Sequence, residues 1–390
     1  MTEKIAKSFS LLKSYVEDED FKGWDPYDGL NSRVFQNLPI KNIRLVRLAW
    51  IQLFKRSPIN LRKIFRVDKE YNSKGLGLFL SGYCNLYLMD PQESYKQKIF
   101  FLANELERLH SKGFSGMCWG YNFDWQARAF FQPKQTPTVV ATTYVAYSLL
   151  DAYDIFKEER WLMQARSSCD FALENLNRTY DKGGDFCFSY SPLDKTQVFN
   201  ASLLGSRLLS RVYSYTREEK LLEAARKSVS FCCKMQQENG AWSYGTLPFH
   251  QWIDNFHTGF NLECIHEFQK FTGDTSFEKY IAKGLNYYLT NFFTEKGESK
   301  YYNNSLYPVD IHSPAQLIIT LGRMGLLKAN QPLLDRVLNW TMDNMQDRKG
   351  YFYYQMKGMV NSRIPYMRWA QSWMFFSFSY YLRSLQSQND

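Results

Sequence analysis

The chain has 390 residues, of which 45% are hydrophobic and 22% charged, a balance that fits a folded globular protein and excludes wholesale disorder. Its net charge is +9 without a Lys/Arg-rich tail, so a nucleic-acid partner is not expected, whereas an anionic glycan or membrane surface is compatible. Seven scattered cysteines with no CxxC pair indicate neither a disulfide framework nor a zinc knuckle, and no apolar run approaches the roughly 20 residues needed to span a bilayer.

The first 17 residues form an amphipathic pattern without an apolar signal region, so a helix is expected there rather than a secretory leader. With reduced cysteines, that points to a cytoplasmic location. Next comes GWDPYDGLNS, a polar and aromatic cluster with Trp24, Asp25, Tyr27 and Asp28. From Lys41 to Lys69, nine basic residues face one acid, Asp68, with Leu45, Leu48, Ile51 and Phe54 interleaved. This stretch reads as a ring helix with a solvated edge or, at the inner face of an anionic membrane, as a peripheral contact through 41–69.

From about residue 70 onward the pattern repeats every 55 to 65 residues. An apolar helix is followed by a short polar turn, a more charged helix and a long aromatic loop. Hairpins are expected at 73–112, 138–176, 198–236, 258–294 and 313–346, with a last helix at 369–388. The first helix of each pair is apolar around most of its circumference and should be buried; the second carries only a stripe and should be outside. The unpaired last helix needs a partner, which 1–17 or 41–56 could supply to close a ring of six. No compositional linker divides the chain, so a single domain over 1–390 is expected, with 1–70 as closing and basic helices and 71–390 as the repeated hairpins.

The loops after the charged helices rhyme: GMCWGYNFDW, GGDFCFSYSP, NGAWSYGTLP, SKYYNNSLYP and KGYFYYQM. Within them, Gln237 to Trp242 resembles the QW motif of terpene cyclases, and Gln346 to Phe352 resembles a second, degenerate copy. The stretch from Asn239 to Thr290 is similar to the C-terminal domain of glucuronyl C5-epimerases, and also to six-hairpin glycosidases. Over roughly 70–390 the chain thus resembles the α/α-toroid superfamilies. That resemblance implies an all-α (α/α)6 toroid, a ring of hairpins around a funnel.

In such a ring the inner helices run parallel, so their leading ends and the loops before them share one mouth. Those ends also offer unpaired N–H groups suited to anions. Candidate catalytic groups in these loops are Asp124, Tyr121, Asp254, His257 and Asp310. Candidate substrate-binding groups are Trp24, Asp28, Trp119, Trp125, Arg128, His250, Trp252, His312, Arg368, Trp369, Gln371 and Trp373. Two carboxylates would suit glycoside hydrolysis. Tyr121 and His257 beside a uronate held by Arg368 would instead suit the proton abstraction of lyases and epimerases. An Asp ahead of a helix is equally an N-cap. No metal or cofactor motif is present. The expectation is therefore a carbohydrate-active enzyme acting on an acidic glycan, with oligomeric state unassigned. The alternatives are an isoprenoid-binding toroid, consistent with 17% aromatic residues, and a non-catalytic binder of glycan or protein.

Overall fold

The computed structural model describes residues 2–128 and 130–386. In chain order its helices are α1 (Thr2–Asp18), the single turn α2 (Arg33–Gln36), α3 (Arg44–Arg56), α4 (Ser73–Met89), α5 (Glu93–Arg108), α6 (Val139–Phe156) and α7 (Glu159–Asp170). They continue with α8 (Phe199–Thr216), α9 (Glu219–Lys234), α10 (Asn255–Thr272), α11 (Glu278–Asn291), α12 (His312–Arg323), α13 (Gln331–Met345) and α14 (Ser372–Gln386). Extended structure among the described residues is limited to three short two-stranded ladders in the connecting loops.

Helices α4, α6, α8, α10, α12 and α14 each pack against the next, and α14 packs back on α4. This is a closed inner ring. Outside it, α5, α7, α9, α11 and α13 each pack on the inner helix that precedes them, and α1 packs on α14. The sixth hairpin is therefore completed by α1, at the opposite end of the chain, and the architecture is the (α/α)6 toroid. Side-chain patterning explains the sorting. On α6 nearly every residue from Val139 to Leu150 is buried, whereas α7 buries only Trp161, Ala165, Ser168 and Cys169 on one stripe.

The QW-like loops tie neighbouring outer helices together. Gln346 Nε2 donates to the carbonyls of Ser8 in α1 and Gly350, both at 2.9 Å, and so locks the ring closure. Gln236, one residue before the motif as read in the sequence, makes the matching bonds to Gly240 (3.0 Å) and to Tyr280 in α11 (2.9 Å). Gly350 has φ +97°, and a Cβ there would stand 2.2 Å from the Leu11 carbonyl oxygen. Only glycine accommodates that approach.

A second regularity builds the mouth. At the start of successive inner helices, the amides of Val139, Phe199, Asn255 and Ile311 donate to the carbonyls of Tyr190, Tyr244, Tyr301 and Tyr354 in the following loop. Met367 donates to Trp24 in the same way, which brings the N-terminal cluster into the circle. Helix α3 stays out of the ring. It packs over the segment Asp28–Asn31 and the Trp125–Gln126 strand, lying across the mouth like a lid.

Towards the other end, the axis is plugged by charge. Arg207 pairs with Glu263 (2.9 Å) and Glu267, and Arg323 pairs with the same two acids at 2.8 and 2.6 Å. Burial opposes the Glu267 charge, but the two guanidinium groups prevail and hold its pKa at about 2. Removing one partner from such a network costs about 3–5 kcal/mol because the other charge is left buried and unpaired.

Candidate functional site

At the mouth a pocket of about 420 Å³ opens between the leading ends of the inner helices and the underside of α3. Its walls are rings: Tyr27, Tyr121, Phe123, Trp125, Tyr190, Tyr244, Trp252, Tyr301, Tyr302 and Trp369. Polar groups among them are Gln52, Gln126, Arg128, Thr196, His250, His257 and Arg368. Neither Asp nor Glu lines it among the described residues. This alternation of apolar faces and polar edges suits a sugar, whose C–H faces stack while its hydroxyls bond.

Of the residues expected to form a site, eight meet at this pocket: Tyr121, Trp125, Arg128, His250, Trp252, His257, Arg368 and Trp369. His257, on the first turn of α10, is oriented by Asp254. That carboxylate caps the helix, one oxygen accepting from the His257 amide at 3.0 Å and the other lying 2.7 Å from His257 Nδ1. Asp254 itself is buried behind the ring. His250 is positioned by a tight loop in which the Tyr244 amide donates to the Trp252 carbonyl and the Gly245 amide to that of His250. Burial lowers the His250 pKa. Tyr121 and Tyr190 share a hydroxyl–hydroxyl bond of 2.9 Å, and burial raises the Tyr121 pKa.

Three more lie one layer below. Asp310 is buried, accepting from the His312 amide (2.9 Å), Trp369 Nε1 (2.9 Å) and Gln355 Nε2 (2.6 Å). Burial outweighs these donors and raises its pKa to about 6. It aims Trp369 and does not reach the pocket. His312 is stacked on Phe256 (4.4 Å between ring centres) and packed on Trp373 at 4.2 Å. Trp373 is fully buried.

The remaining five lie elsewhere, for identifiable reasons. Chain alternation in 121–125 sends Tyr121, Phe123 and Trp125 inward, so Asp124 faces outward; it accepts from the Lys134 amide at 2.7 Å in an outer groove with Asp68 and Glu70. Trp119 is fully buried, its Nε1 donating to the Leu106 carbonyl at 2.7 Å. Trp24 donates to the Val67 carbonyl (2.9 Å). Asp28 forms a buried ion pair with Arg62 at 2.7 Å, which anchors the segment beneath the lid. Gln371 clamps both the amide and the carbonyl of Phe352, each at 2.8 Å. These are wall and brace positions. Arg368 faces the pocket, but its guanidinium is already engaged bidentately by Asp25 at 2.5 and 2.9 Å. A substrate carboxylate therefore meets an Arg fork that is already occupied.

Several pocket residues were not singled out from the sequence. Tyr190, Tyr244, Tyr301 and Tyr302 sit in the rhyming loops, whose ring-rich spacing does not by itself say which rings face inward. Leu48 is legible only as an apolar position of the basic stretch and Gln52 carries no local signal, because their place at the pocket follows from where the lid lies.

No family model matches the chain, and no curated protein matches it. Solved structures do. The cellobiose 2-epimerase of Bacillus thermoamylovorans superposes with TM-score 0.64 at 11% identity, covering 81% of this chain and 88% of that one. A family 76 α-mannanase of Bacteroides thetaiotaomicron gives 0.63 at 12% identity, with 83% and 89% covered. The Lin0763 protein from Listeria innocua gives 0.61 at 14% identity over 99% and 98% of the two chains. What this chain shares with them is the fold, the six-hairpin α/α toroid.

Proposed function

We propose that the chain is a carbohydrate-active enzyme that moves a proton on a sugar, of the epimerase, isomerase or lyase type, with His257 as the acid–base group. The observation that carries this is the Asp254–His257 pair opening onto a ring-lined pocket whose walls hold no carboxylate. Glycoside hydrolysis by a carboxylate pair needs both acids at the substrate, whereas Asp124, Asp254 and Asp310 are turned outward or buried behind other side chains. The named activities of the structural neighbours, sugar epimerisation and glycoside hydrolysis, support a sugar substrate.

With Nδ1–H donating to Asp254, the neutral imidazole presents Nε2 as a base. It takes the proton from the carbon beside a sugar carbonyl, giving an enediol-type intermediate, and returns it to that carbon from either face or delivers it to the former carbonyl carbon while a hydroxyl proton moves between the two oxygens. Beside a carboxyl, the enolate formed instead expels the oxygen on the β carbon, which leaves with a proton. His250 stands across Tyr244 as a second acid–base group, the two imidazole centres 5.1 and 4.8 Å from the tyrosine ring. Trp125, Trp252 and Trp369 supply stacking faces.

The test is exchange of the carbon-bound proton in D2O, followed by NMR across a panel of neutral and acidic aldoses and oligosaccharides. The wild type should incorporate deuterium into a member of the panel, and H257Q should slow this by about 10²–10⁴-fold. Undiminished exchange in H257Q would remove the proposal.

A carboxylate-free ring of aromatics also favours an isoprenoid ligand. Tryptophan fluorescence titrated with farnesol and with an oligosaccharide separates the two readings. The lid adds a location. Between residues 29 and 67 there is no acid, and Ile43, Leu45, Ile59 and Ile64 are exposed beside Lys41, Arg44 and Lys63. A peripheral contact with an anionic cytoplasmic leaflet would hold the funnel mouth to a lipid-linked glycan. Among the described residues no helix is long and apolar enough to cross a membrane.

A further inference from the structure

We propose that a buried anion site centred on Lys74 lies on the ring axis beneath Trp369 and takes the carboxylate of an acidic sugar. The proposal rests on the carbohydrate reading above and assigns the substrate's class.

Lys74 is the second residue of α4 and only 4% exposed. Its ammonium lies over three rings, 4.4 Å from the centre of Tyr144, 5.2 Å from Trp373 and 5.7 Å from Phe260. No ion pair to it occurs among the described residues. The acid that acts on it is Asp25, and that carboxylate already carries Arg368. Ring faces attract a cation, but far less than an ammonium loses by leaving water. Burial, with Arg368 nearby, accordingly pushes the Lys74 pKa well below the usual lysine range.

The neighbours deepen the deficit. Trp373 Nε1 is a donor only, and it is buried without a partner. Both ring nitrogens of His312 are buried and unpartnered as well, in a ring 4.2 Å from Trp373. Burial and the adjacent Lys74 hold this histidine neutral, so it keeps one N–H to donate. Lys74 and His312 are the second and first residues of α4 and α12, whereas Trp373 lies about two turns into a helical run that begins at Met367. Two helix N-termini thus add positive potential at the same place. Buried polar groups nearly always find partners, so a cluster this rich in donors without a protein acceptor suits an anion. A neutral sugar hydroxyl would fill hydrogen bonds but give the amine no countercharge; a carboxylate does both and favours the protonated form of Lys74. The cation that reads the acid is then Lys74, and not Arg368, whose fork Asp25 occupies.

Titration calorimetry with D-glucuronate and D-glucose on the full chain tests this. The wild type should bind glucuronate about tenfold or more tightly than glucose. K74M should abolish that preference while still binding glucose, and W373F should weaken glucuronate alone. Without ligand, K74M should unfold at a higher temperature than the wild type, because burying this amine costs the folded chain either its proton or its hydration. Equal binding of the two sugars by the wild type, or an intact preference in K74M, overturns the anion site and leaves the carbohydrate reading standing. Binding of neither sugar overturns both.

Discussion

Asp310 gives a sharp test of how this fold carries a buried carboxyl. Its pKa is raised from 3.8 to about 6 by burial, against three neutral donors and no cation in contact. A folded-state pKa above the unfolded one means that the native chain binds the proton more tightly. Stability from this group is therefore complete below pH 4 and is lost as pH rises through about 6. A shift of roughly two units, at about 1.4 kcal/mol per unit, amounts to about 3 kcal/mol at pH 7. Asp310→Asn replaces the carboxyl with a neutral amide of the same shape, whose oxygen can still accept from the His312 amide and Trp369 Nε1. Relative to the wild type it should lose stability at pH 4, where the protonated carboxyl is the better partner for Gln355. It should draw level or gain at pH 7. Urea unfolding of both proteins from pH 4 to 8 measures this, and subtraction cancels every other titrating group. A difference that stays flat between pH 4 and 6.5, or that runs the other way, would refute the reasoning.

Two further outcomes follow from the ring and the lid. Gln346→Ala removes the bonds from α13 to Ser8 and Gly350 and should cost about 1–3 kcal/mol in urea unfolding; an unchanged midpoint would mean that α1 closes the ring by packing alone. Pelleting with anionic vesicles should bring down the wild type in a salt-sensitive way, and the double variant Leu45→Glu, Ile64→Glu should stay in solution, since both side chains are more than two-thirds exposed, at 74% and 68%. Retention of the wild type in the supernatant at low salt would end the membrane proposal.

Periodicity carried most of the architecture. The contrast between the nearly all-apolar α6 and the striped α7 is a property of local sequence, because a helix buried on all sides cannot tolerate a charged face. Aromatic loops between hairpins were likewise visible. Side-chain roles were less so. Asp254 and Asp310 present the same motif, an acid two or three residues ahead of a histidine. One orients an imidazole at the pocket; the other holds an indole from behind. Asp124 has pocket residues on both sides and faces away, since one step along extended chain reverses the side chain.

Helix periods, the inner and outer faces and the turn residues between them lie in the linear sequence, because each depends on neighbours within a few positions. Which helix completes the sixth hairpin, where α3 rests, and which cations keep an unpaired charge lie in the three-dimensional packing alone. Asp25 meets Arg368 across 343 residues, and Ser8 meets Gln346 across 338. Those contacts decide that Arg368 is spoken for and Lys74 is not, and no local pattern encodes a partnership made only when the ring closes.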